Sequence, residues 1–312
     1  MEKRELGTSG ISVHPFCFGG NVFGWTINEK QSFEILDAYI DSGLEFIDTA
    51  DVYSKWVPGN KGGESETIIG NWLKKTGKRD KVIIATKVGK PMAEGKQGLS
   101  KKYIIQAVEA SLKRLQTDYI DLYQSHDDDR GTQFAETLGV YTDLIKQGKV
   151  RAIGASNYSA ERLKEALQVS SDNGLAAYQS MQPLYNLYDR EQYEKELEPL
   201  CRENNIGVIT YYSLASGFLT GKYRSENDLS KSPRGAGVKK YLNDRGFKIL
   251  AALDEVASHY KTTPAAVAIA WVIGRPGITA PIASATSVKQ LRELVQATRL
   301  ALDEGSIQLL SK

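Results

Sequence analysis

Three titratable residues follow strand-like segments of this chain at equal intervals. Asp48, Lys87 and His126 are spaced 39 residues apart, and 39 is one eighth of the 312-residue length. Strand-like segments alternate with segments of helical spacing from end to end, which predicts parallel βαβ units. Eight such units predict an α/β fold, the (β/α)8 TIM barrel, which places its chemistry at the carboxyl ends of its strands. We therefore expect these residues, with Tyr53 in the loop after Asp48, to form one site.

The element boundaries follow from apolar runs and from apolar residues at helical spacing. We expect strands at 13–18, 44–48, 81–87, 119–126, 150–155, 177–182, 206–212 and 278–282. Helices are expected at 29–41, 64–75, 134–146, 160–169, 190–203, 245–259 and 288–298, with two more capped by Ser100 and Thr263. A polar segment at 216–243 exceeds the ~12–15 residues of an ordinary loop, so we expect it to be functional or mobile. The prediction is one domain over 1–312, and an open doubly wound sheet is the structural alternative.

Composition narrows the class of partner. The net charge is +2 and 41% of the residues are hydrophobic, which argues against a nucleic acid or membrane partner. The longest apolar stretch has about ten residues, short of the ~20 that a membrane helix needs, and no signal-peptide pattern is expected. Two cysteines, Cys17 and Cys201, suit a reducing, cytoplasmic setting. We expect a monomer or a weak homo-oligomer that acts on a small molecule.

Common nucleotide and metal motifs are missing from the sequence. It contains neither G-x-G-x-x-G nor the phosphate-binding G-x-x-x-x-G-K-[ST]. The histidines at 14, 126 and 259 are far apart, so no metal site is predicted. We expect the chemistry to come from side chains, or from a cofactor that is held without a Rossmann motif.

Aspartate, tyrosine, lysine and histidine at one barrel mouth suit proton transfer to a carbonyl oxygen. The pKa of a tyrosine is normally near ~10, and a neighbouring ammonium such as that of Lys87 is expected to lower it. Asp48 would keep Lys87 protonated, while Tyr53 and His126 donate to the same carbonyl oxygen. Such a site protonates an alkoxide as hydride reaches carbon, and no side chain can supply the hydride.

At these residues the chain resembles the aldo-keto reductase superfamily. FIDTADVY at 46–53, ATKVG at 85–89 and DLYQSH at 121–126 match segments of that family, and the resemblance spans about residues 5–300. It implies a (β/α)8 barrel with Asp48, Tyr53, Lys87 and His126 as the catalytic tetrad. It also implies that NADP(H) lies across the strand ends and that the substrate is a small carbonyl compound.

The same resemblance implies the cofactor and substrate contacts. Ser156 and Asn157 in GASN, together with Gln179, would hold the nicotinamide carboxamide, and Tyr211 would stack on its ring. Further cofactor contacts, several of them around the pyrophosphate, are implied for Gly20, Asn21, Asp48, Ser213, Leu214, Gly217, Lys222 and Arg234. The implied substrate contacts are Trp25, Tyr53, His126 and Asp127. Asp127 and Asp128 stand where many members have Trp-Pro, which predicts a more polar mouth.

The segment IASATSVKQLREL at 282–294 departs from the family pattern. Ser284 replaces a family glycine, and Leu294 stands at the position of a family asparagine. Thr286 and Gln290 stand where some members use basic residues to grip the 2′-phosphate, and Glu293 keeps an acidic residue near the adenine. Ser284, Thr286, Gln290 and Glu293 are the predicted cofactor contacts here. NADP(H) is the expected cofactor, and NAD(H) stays open.

Three functions are compatible with these patterns. The preferred prediction is NAD(P)H-dependent reduction of an aldehyde or ketone, with Tyr53 as the proton donor. The alternative is a regulatory NADPH-binding protein like the potassium-channel β-subunits, which share the family barrel and which the YNLYDR and TGKY segments also resemble. A barrel isomerase or lyase that uses Lys87 as a Schiff base is the third.

Overall fold

A short hairpin precedes the main sheet in the computed structural model, which describes residues 2–312. Strands β1 (Arg4–Glu5) and β2 (Ser12–Val13) of this hairpin pair antiparallel. Eight parallel strands then close a barrel: β3 (Cys17–Gly19), β4 (Phe46–Asp48), β5 (Ile83–Val88), β6 (Ile120–Ser125), β7 (Val150–Ser156), β8 (Ser180–Gln182), β9 (Gly207–Thr210) and β10 (Ile278–Ala283). Strand β10 pairs with both β9 and β3. The closed ring confirms the predicted (β/α)8 barrel over the open sheet.

The first predicted strand, at 13–18, is divided in the structure. Pro15 has no N–H to donate, and the Phe16 N–H donates to the His14 carbonyl at 2.7 Å, so the chain turns between β2 and β3. Leu6 and Val13 of the hairpin pack into the cluster that fills the barrel interior. The hairpin therefore covers the amino end of the barrel.

Helices surround the barrel largely where their caps and apolar spacing predicted them. They are α1 (Glu29–Asp41), α2 (Glu64–Thr76), α3 (Lys101–Leu115), α4 (Phe134–Lys146), α5 (Ala160–Asn173), α6 (Glu198–Glu203), α7 (Asp244–His259), α8 (Pro264–Ile273), α9 (Val288–Gln296) and α10 (Glu304–Ser311). The Ser100 hydroxyl accepts from the Tyr103 N–H and that of Thr263 from the Ala266 N–H, as N-caps should. Helix α8 is buried over most of its length, and its apolar side chains fill the space behind β10.

Two regions differ from the predicted helices. The helix expected at 190–203 contains a π-helical turn at Tyr193–Leu197 before α6. Pro199 lacks the N–H that an α-helix would direct at the Lys195 carbonyl, which accounts for the wider turn. The long polar segment is also structured, with 3-10 turns at Ala215–Thr220, Glu226–Lys231 and Gly235–Tyr241.

Candidate active site

Lys87 is the centre of a buried hydrogen-bonded group at the carboxyl end of the barrel. Its Nζ donates to Asp48 Oδ2 at 2.6 Å, to the Thr49 carbonyl at 2.8 Å and to Tyr53 Oη at 2.9 Å. The side chain of Lys87 is fully buried and that of Asp48 is 2% exposed. Three acceptors match the three protons of an ammonium, so the arrangement fits a charged lysine.

Asp48 ends β4, and amides from two other strands satisfy its second oxygen. Gln182 Nε2 on β8 donates to Asp48 Oδ1 at 2.9 Å, and Gln124 Nε2 on β6 approaches the same oxygen at 3.4 Å. The Tyr53 hydroxyl donates to Asp48 Oδ2 at 3.1 Å. A buried carboxylate needs such partners, because an uncompensated charge in this position is costly. Gln124 and Gln182 are site residues that the sequence did not single out.

Burial decides the protonation state of Tyr53. The low polarity around the ring raises the pKa of Tyr53 well above its usual value, and the negative charge of Asp48 raises it further. Burial also lowers the pKa of Lys87, while Asp48 opposes that shift. The sequence predicted a lowered tyrosine pKa, because it identified the ammonium neighbour but not the depth of burial. The structure therefore presents a neutral phenol that holds its proton.

His126 follows β6 and lies against the edge of Tyr53. The two ring centroids are 6.0 Å apart at an interplanar angle of 73°. Burial, together with the positive charges of Lys87 and Lys90, lowers the pKa of His126 well below its usual value. The imidazole is therefore neutral near pH 7, with one ring N–H to donate. Its Nδ1 is buried and has no hydrogen-bond partner among residues 2–312.

Asn157 connects the ends of three strands beside His126. Its Nδ2 donates to the His126 carbonyl at 2.9 Å, and its Oδ1 accepts from the Tyr211 hydroxyl at 2.7 Å. Its backbone has a φ of 60°, a left-handed value that asparagine tolerates better than most residues. Ser156 is fully buried and donates to the Gln182 carbonyl at 3.0 Å. The predicted contacts Ser156, Asn157 and Tyr211 thus lie together at the carboxyl end of the barrel.

Gln179 lies at the opposite end of the barrel from its predicted site. Its Oε1 accepts from the Thr8 N–H at 2.9 Å and from the Thr8 hydroxyl at 2.7 Å, in the hairpin that covers the amino end. Strand β8 begins after Gln179 and ends at Gln182, so the two glutamines flank opposite ends of the same short strand. Gln182, which contacts Asp48, is the glutamine at the site, and the prediction of Gln179 is corrected accordingly.

The loop after β9 combines buried polar groups with a strained backbone. The Ser213 hydroxyl is fully buried and lies 3.0 Å from that of Thr210. Tyr212, Ala215, Ser216 and Gly217 all have positive φ, which costs energy for the three that are not glycine. Leu214 is half-buried, and Lys222 is exposed with its Nζ 5.0 Å from the Tyr223 ring centroid. The predicted pyrophosphate contacts therefore share one loop, but the Ser213 hydroxyl is already engaged within it.

Asn21 joins the ends of β3 and β10 to the long segment. Its Oδ1 accepts from the Ser284 hydroxyl at 2.7 Å and from Arg234 Nη2 at 3.3 Å. The Arg234 guanidinium lies 5.3 Å from the centroid of the Trp25 ring. Gly20 precedes Asn21, and its carbonyl accepts from the Ser65 hydroxyl of α2 at 2.8 Å. Residues from three distant segments, 20–25, Arg234 and Ser284, thus meet at one side of the mouth.

The remaining predicted residues lie farther along the rim. Gln290 Oε1 accepts from the Thr286 N–H at 2.9 Å and from its hydroxyl at 3.0 Å, so these two contact each other. Glu293 is half-exposed, whereas Leu294 is buried in the core and presents no polar group. Asp127 lies 3.6 Å from Lys90 Nζ.

Trp56 is a rim residue that the sequence did not indicate. Its ring packs edge-on against Trp25 at 5.4 Å between centroids and against Tyr53 at 6.2 Å. It is half-exposed, so the wall near Tyr53 is aromatic although Asp127 makes another part polar.

Residues 2–312 contain neither a candidate metal site nor a helix that could span a membrane. No group of three or more histidine, cysteine, aspartate or glutamate side chains is arranged to hold a metal ion in this range. Within the same residues, every helix is too short or too polar to span a bilayer.

Known proteins show extensive similarity to this chain. The model of the Aldo/keto reductase family matches residues 15–312. The uncharacterized oxidoreductase YrpG of Bacillus subtilis (strain 168) is 34% identical over 318 residues, which cover 100% of this chain and 95% of that protein. The aldo-keto reductase YhdN of the same organism is 36% identical over 314 residues, with 97% and 90% covered. A probable voltage-gated potassium channel subunit beta of Arabidopsis thaliana is 33% identical over 306 residues, with 95% and 91% covered. The chain therefore belongs to the aldo/keto reductase family.

Proposed function

We propose that this protein is an NADP(H)-dependent reductase of aldehydes or ketones, with Tyr53 as the proton donor. Family membership and relatives named as oxidoreductases support carbonyl reduction in general. The observation that carries the finer proposal is the contact of one neutral, partly buried phenol with Lys87 Nζ at 2.9 Å, beside the neutral ring of His126. A proton donor and a second N–H donor at one mouth suit a carbonyl oxygen that gains negative charge.

In this proposal the side chains transfer one proton to the substrate. The Tyr53 hydroxyl donates to the substrate oxygen, and His126 orients that oxygen through its ring N–H. The Lys87 ammonium stabilises the phenolate that remains, because it already contacts Tyr53 Oη. Asp48 holds Lys87 in place, and the two glutamine amides hold Asp48.

The strand ends beside the tetrad fit a nicotinamide nucleotide. A bound NADP(H) supplies hydride to the carbonyl carbon. Asn157 offers an amide near His126, Tyr211 offers a partly exposed ring beside it, and Arg234 and Lys222 offer positive charge for phosphates. Thr286 and Gln290 are uncharged candidates for the 2′-phosphate, so the preference for NADP(H) over NAD(H) rests on hydroxyl and amide groups.

The decisive variant is Tyr53→Phe, which removes the hydroxyl and keeps the ring. We expect kcat for NADPH-dependent reduction of a reactive aldehyde to fall about 10²–10⁴-fold, since that is the usual contribution of a general acid. Binding of NADPH, followed by its fluorescence, should persist. Tyr119→Phe is the matched control, because Tyr119 lies next to Arg79 away from the tetrad and should turn over normally. Normal turnover by Tyr53→Phe would refute the role of Tyr53.

A regulatory role is the second candidate, because channel subunits are among the relatives. A panel of carbonyl compounds separates the two, with NADPH absorbance as the readout. Tight NADPH binding without oxidation by any compound would favour the regulatory protein. The Schiff-base alternative is disfavoured, because Lys87 Nζ is fully buried and already contacts three acceptors.

We further propose that the whole chain acts as one unit in the cytoplasm, as a monomer or weak homo-oligomer. Both cysteines are buried and unpaired, which suits a reducing compartment.

A further inference from the structure

Asp51 is a buried carboxyl within the segment that carries Asp48 and Tyr53. Its side chain is 2% exposed, and neither carboxyl oxygen makes a hydrogen bond with any described residue. The Val52 N–H is near enough to favour the ionised form slightly, without acceptable hydrogen-bond geometry. The backbone N–H of Asp51 donates to the Lys87 carbonyl at 3.2 Å, so the residue ties this segment to β5. Such an isolated buried carboxyl requires an explanation.

Arg114, the cation that most favours the ionised form of Asp51, is already bound to a second buried carboxyl. Glu66 of α2 is fully buried, and its two oxygens accept from Arg114 Nε at 2.7 Å and from the Thr86 hydroxyl at 2.6 Å. Lys87 Nζ is engaged by the three acceptors described above. The Arg114 guanidinium thus pairs directly with Glu66, whereas Asp51 forms no ion pair within the described chain, and two buried negative charges so placed repel each other.

Among the other groups around Asp51, Lys87 favours its ionised form less than Arg114 does. The charged and titratable side chains that interact with Asp51 come from five elements: Glu66 on α2, Lys87 on β5, Tyr103 and Arg114 on α3, Tyr123 on β6 and Tyr141 on α4. The Tyr123 hydroxyl is itself buried without a hydrogen-bond partner in the described chain. Burial, with the charge of Glu66 as the next cause, raises the pKa of Asp51 to about 8.

We propose that Asp51 is a positioning residue that acts as a neutral carboxylic acid. In its neutral form it packs beneath the tetrad and allows the segment from Thr49 to Tyr53 to rest on α2 and β5. When ionised, it repels Glu66 and displaces that segment, which moves Tyr53 away from Lys87. The activity test below rests on the proposed reductase function, whereas the stability and infrared tests do not.

The isosteric variant Asp51→Asn stays neutral at every pH. The folded-state pKa of Asp51 lies above the unfolded value of ~3.9, so its contribution to stability is present below pH ~4 and is lost as the pH rises through about 8. We expect the melting temperature of the natural protein to fall as the pH rises from 5 to 8, and that of Asp51→Asn to change less. Asp143→Asn, which neutralises an exposed carboxyl on α4, is the matched control and should keep this fall.

The catalytic readout should follow the same titration. With a pKa of about 8, the neutral fraction falls about tenfold from pH 7 to pH 9, and kcat/KM of the natural protein should fall by the same factor. The kcat/KM of Asp51→Asn should change little over this pH range. If kcat/KM and the melting temperature of Asp51→Asn both fell with rising pH as much as those of the natural protein, the proposal would be overturned.

Infrared spectroscopy tests the proton directly, even if Asp51→Asn does not fold. The natural protein at pH 7 should show the carbonyl stretch of a protonated carboxylic acid, and this band should disappear as the pH is raised to 10. Absence of the band at pH 7 would show that Asp51 is ionised and would refute the proposal. If no carbonyl compound is reduced at any pH, the reductase proposal fails while the unfolding and infrared results still judge Asp51.

Discussion

At the scale of single residues, the site depends on polar side chains that form hydrogen bonds with one another. Lys87 has three acceptors, and Asp48 has partners at both oxygens. Tyr53 is held between these two charges and keeps its proton, because burial and the negative charge of Asp48 both raise its pKa. The function of each side chain thus depends on its neighbours more than on its own type.

A substitution of Gln182 tests how far the function of Asp48 depends on its neighbours. In Gln182→Leu, Asp48 Oδ1 keeps only the 3.4 Å approach of Gln124, and a lost hydrogen bond to a buried charge costs about 1.5–3 kcal/mol. We expect a lower free energy of unfolding in denaturant titration and a reduced kcat/KM. Gln179→Leu, at the other end of the same strand, should leave kcat/KM unchanged. Equal kinetic effects of the two variants would contradict the assignment.

Residue identities at the site were largely predictable, but their electrostatic balance was not. Asp48, Tyr53, Lys87 and His126 meet as the spacing predicted, because parallel strands bring their carboxyl ends together. The raised pKa of Tyr53 and the group formed by Asp51, Glu66 and Arg114 depend on burial and on contacts between distant segments. No local pattern in the sequence reports either quantity. The family resemblance implied Gln179 rather than Gln182, and the structure differs because β8 begins at Ser180, three residues later than the expected strand at 177–182.

At the scale of elements, helix packing is set by close approaches that only glycine allows. Gly70 of α2 lies against α3, and a Cβ built there would be 2.0 Å from the Arg114 carbonyl oxygen. The same helix pair also supplies Glu66 and Arg114 beneath the tetrad. The spacing of α2 and α3 therefore affects the site as well as stability.

Gly70→Ala should force these two helices apart. We expect a loss of about 1–3 kcal/mol in the free energy of unfolding, as overpacking of a well-packed contact usually gives. Gly139→Ala on α4 is the matched control, because the described structure has no neighbouring atom within 4 Å of a Cβ there. It should stabilise the protein by about 0.5–1 kcal/mol through a stiffer unfolded chain. In thermal unfolding, the melting temperature should fall in Gly70→Ala and rise in Gly139→Ala. A change of the same sign in both variants would contradict the packing argument.

Helices were more predictable than strands in this chain. The bounds of α1 and α4 agree with the predicted ones, because apolar residues at helical spacing extend through both helices, and Asn28 also caps the start of α1. Strands β3 and β8 are shorter than predicted, since apolar character continues beyond the residues that pair. The π-helical turn before α6 depends on one proline, Pro199, inside an otherwise helical pattern.

At the scale of the whole molecule, the two ends of the barrel have different roles. The tetrad lies at the carboxyl end, as in other barrels of this type. At the amino end, Arg4 Nη1 donates to the carbonyls of Ile273 and Ile278 and fixes the hairpin, while Leu6 fills the barrel interior. Changes at this end should therefore affect stability and leave the chemistry intact.

Leu6→Ala tests whether the amino end of the barrel affects stability without affecting the chemistry at the carboxyl end. Leu6 is fully buried, so its truncation should cost about 2–5 kcal/mol in the free energy of unfolding. The kcat/KM measured well below the melting temperature should match that of the natural protein. Ile105→Ala on α3 is the control, because Ile105 is 41% exposed and its loss should change stability by less than about 0.5 kcal/mol. A large kinetic effect of Leu6→Ala would show that the two ends are coupled.

The hairpin at the amino end of the barrel has a consequence for the access of ligands to the site. Because the hairpin and the packed interior fill the amino end of the described barrel, we expect ligands to reach Tyr53 from the carboxyl end. Trp25, Trp56 and Arg234 contact one another in sequence on one side of that entrance. Two molecules that share it must enter one after the other, and the deeper one must leave last. The shape of the barrel thus imposes the order in which two ligands bind.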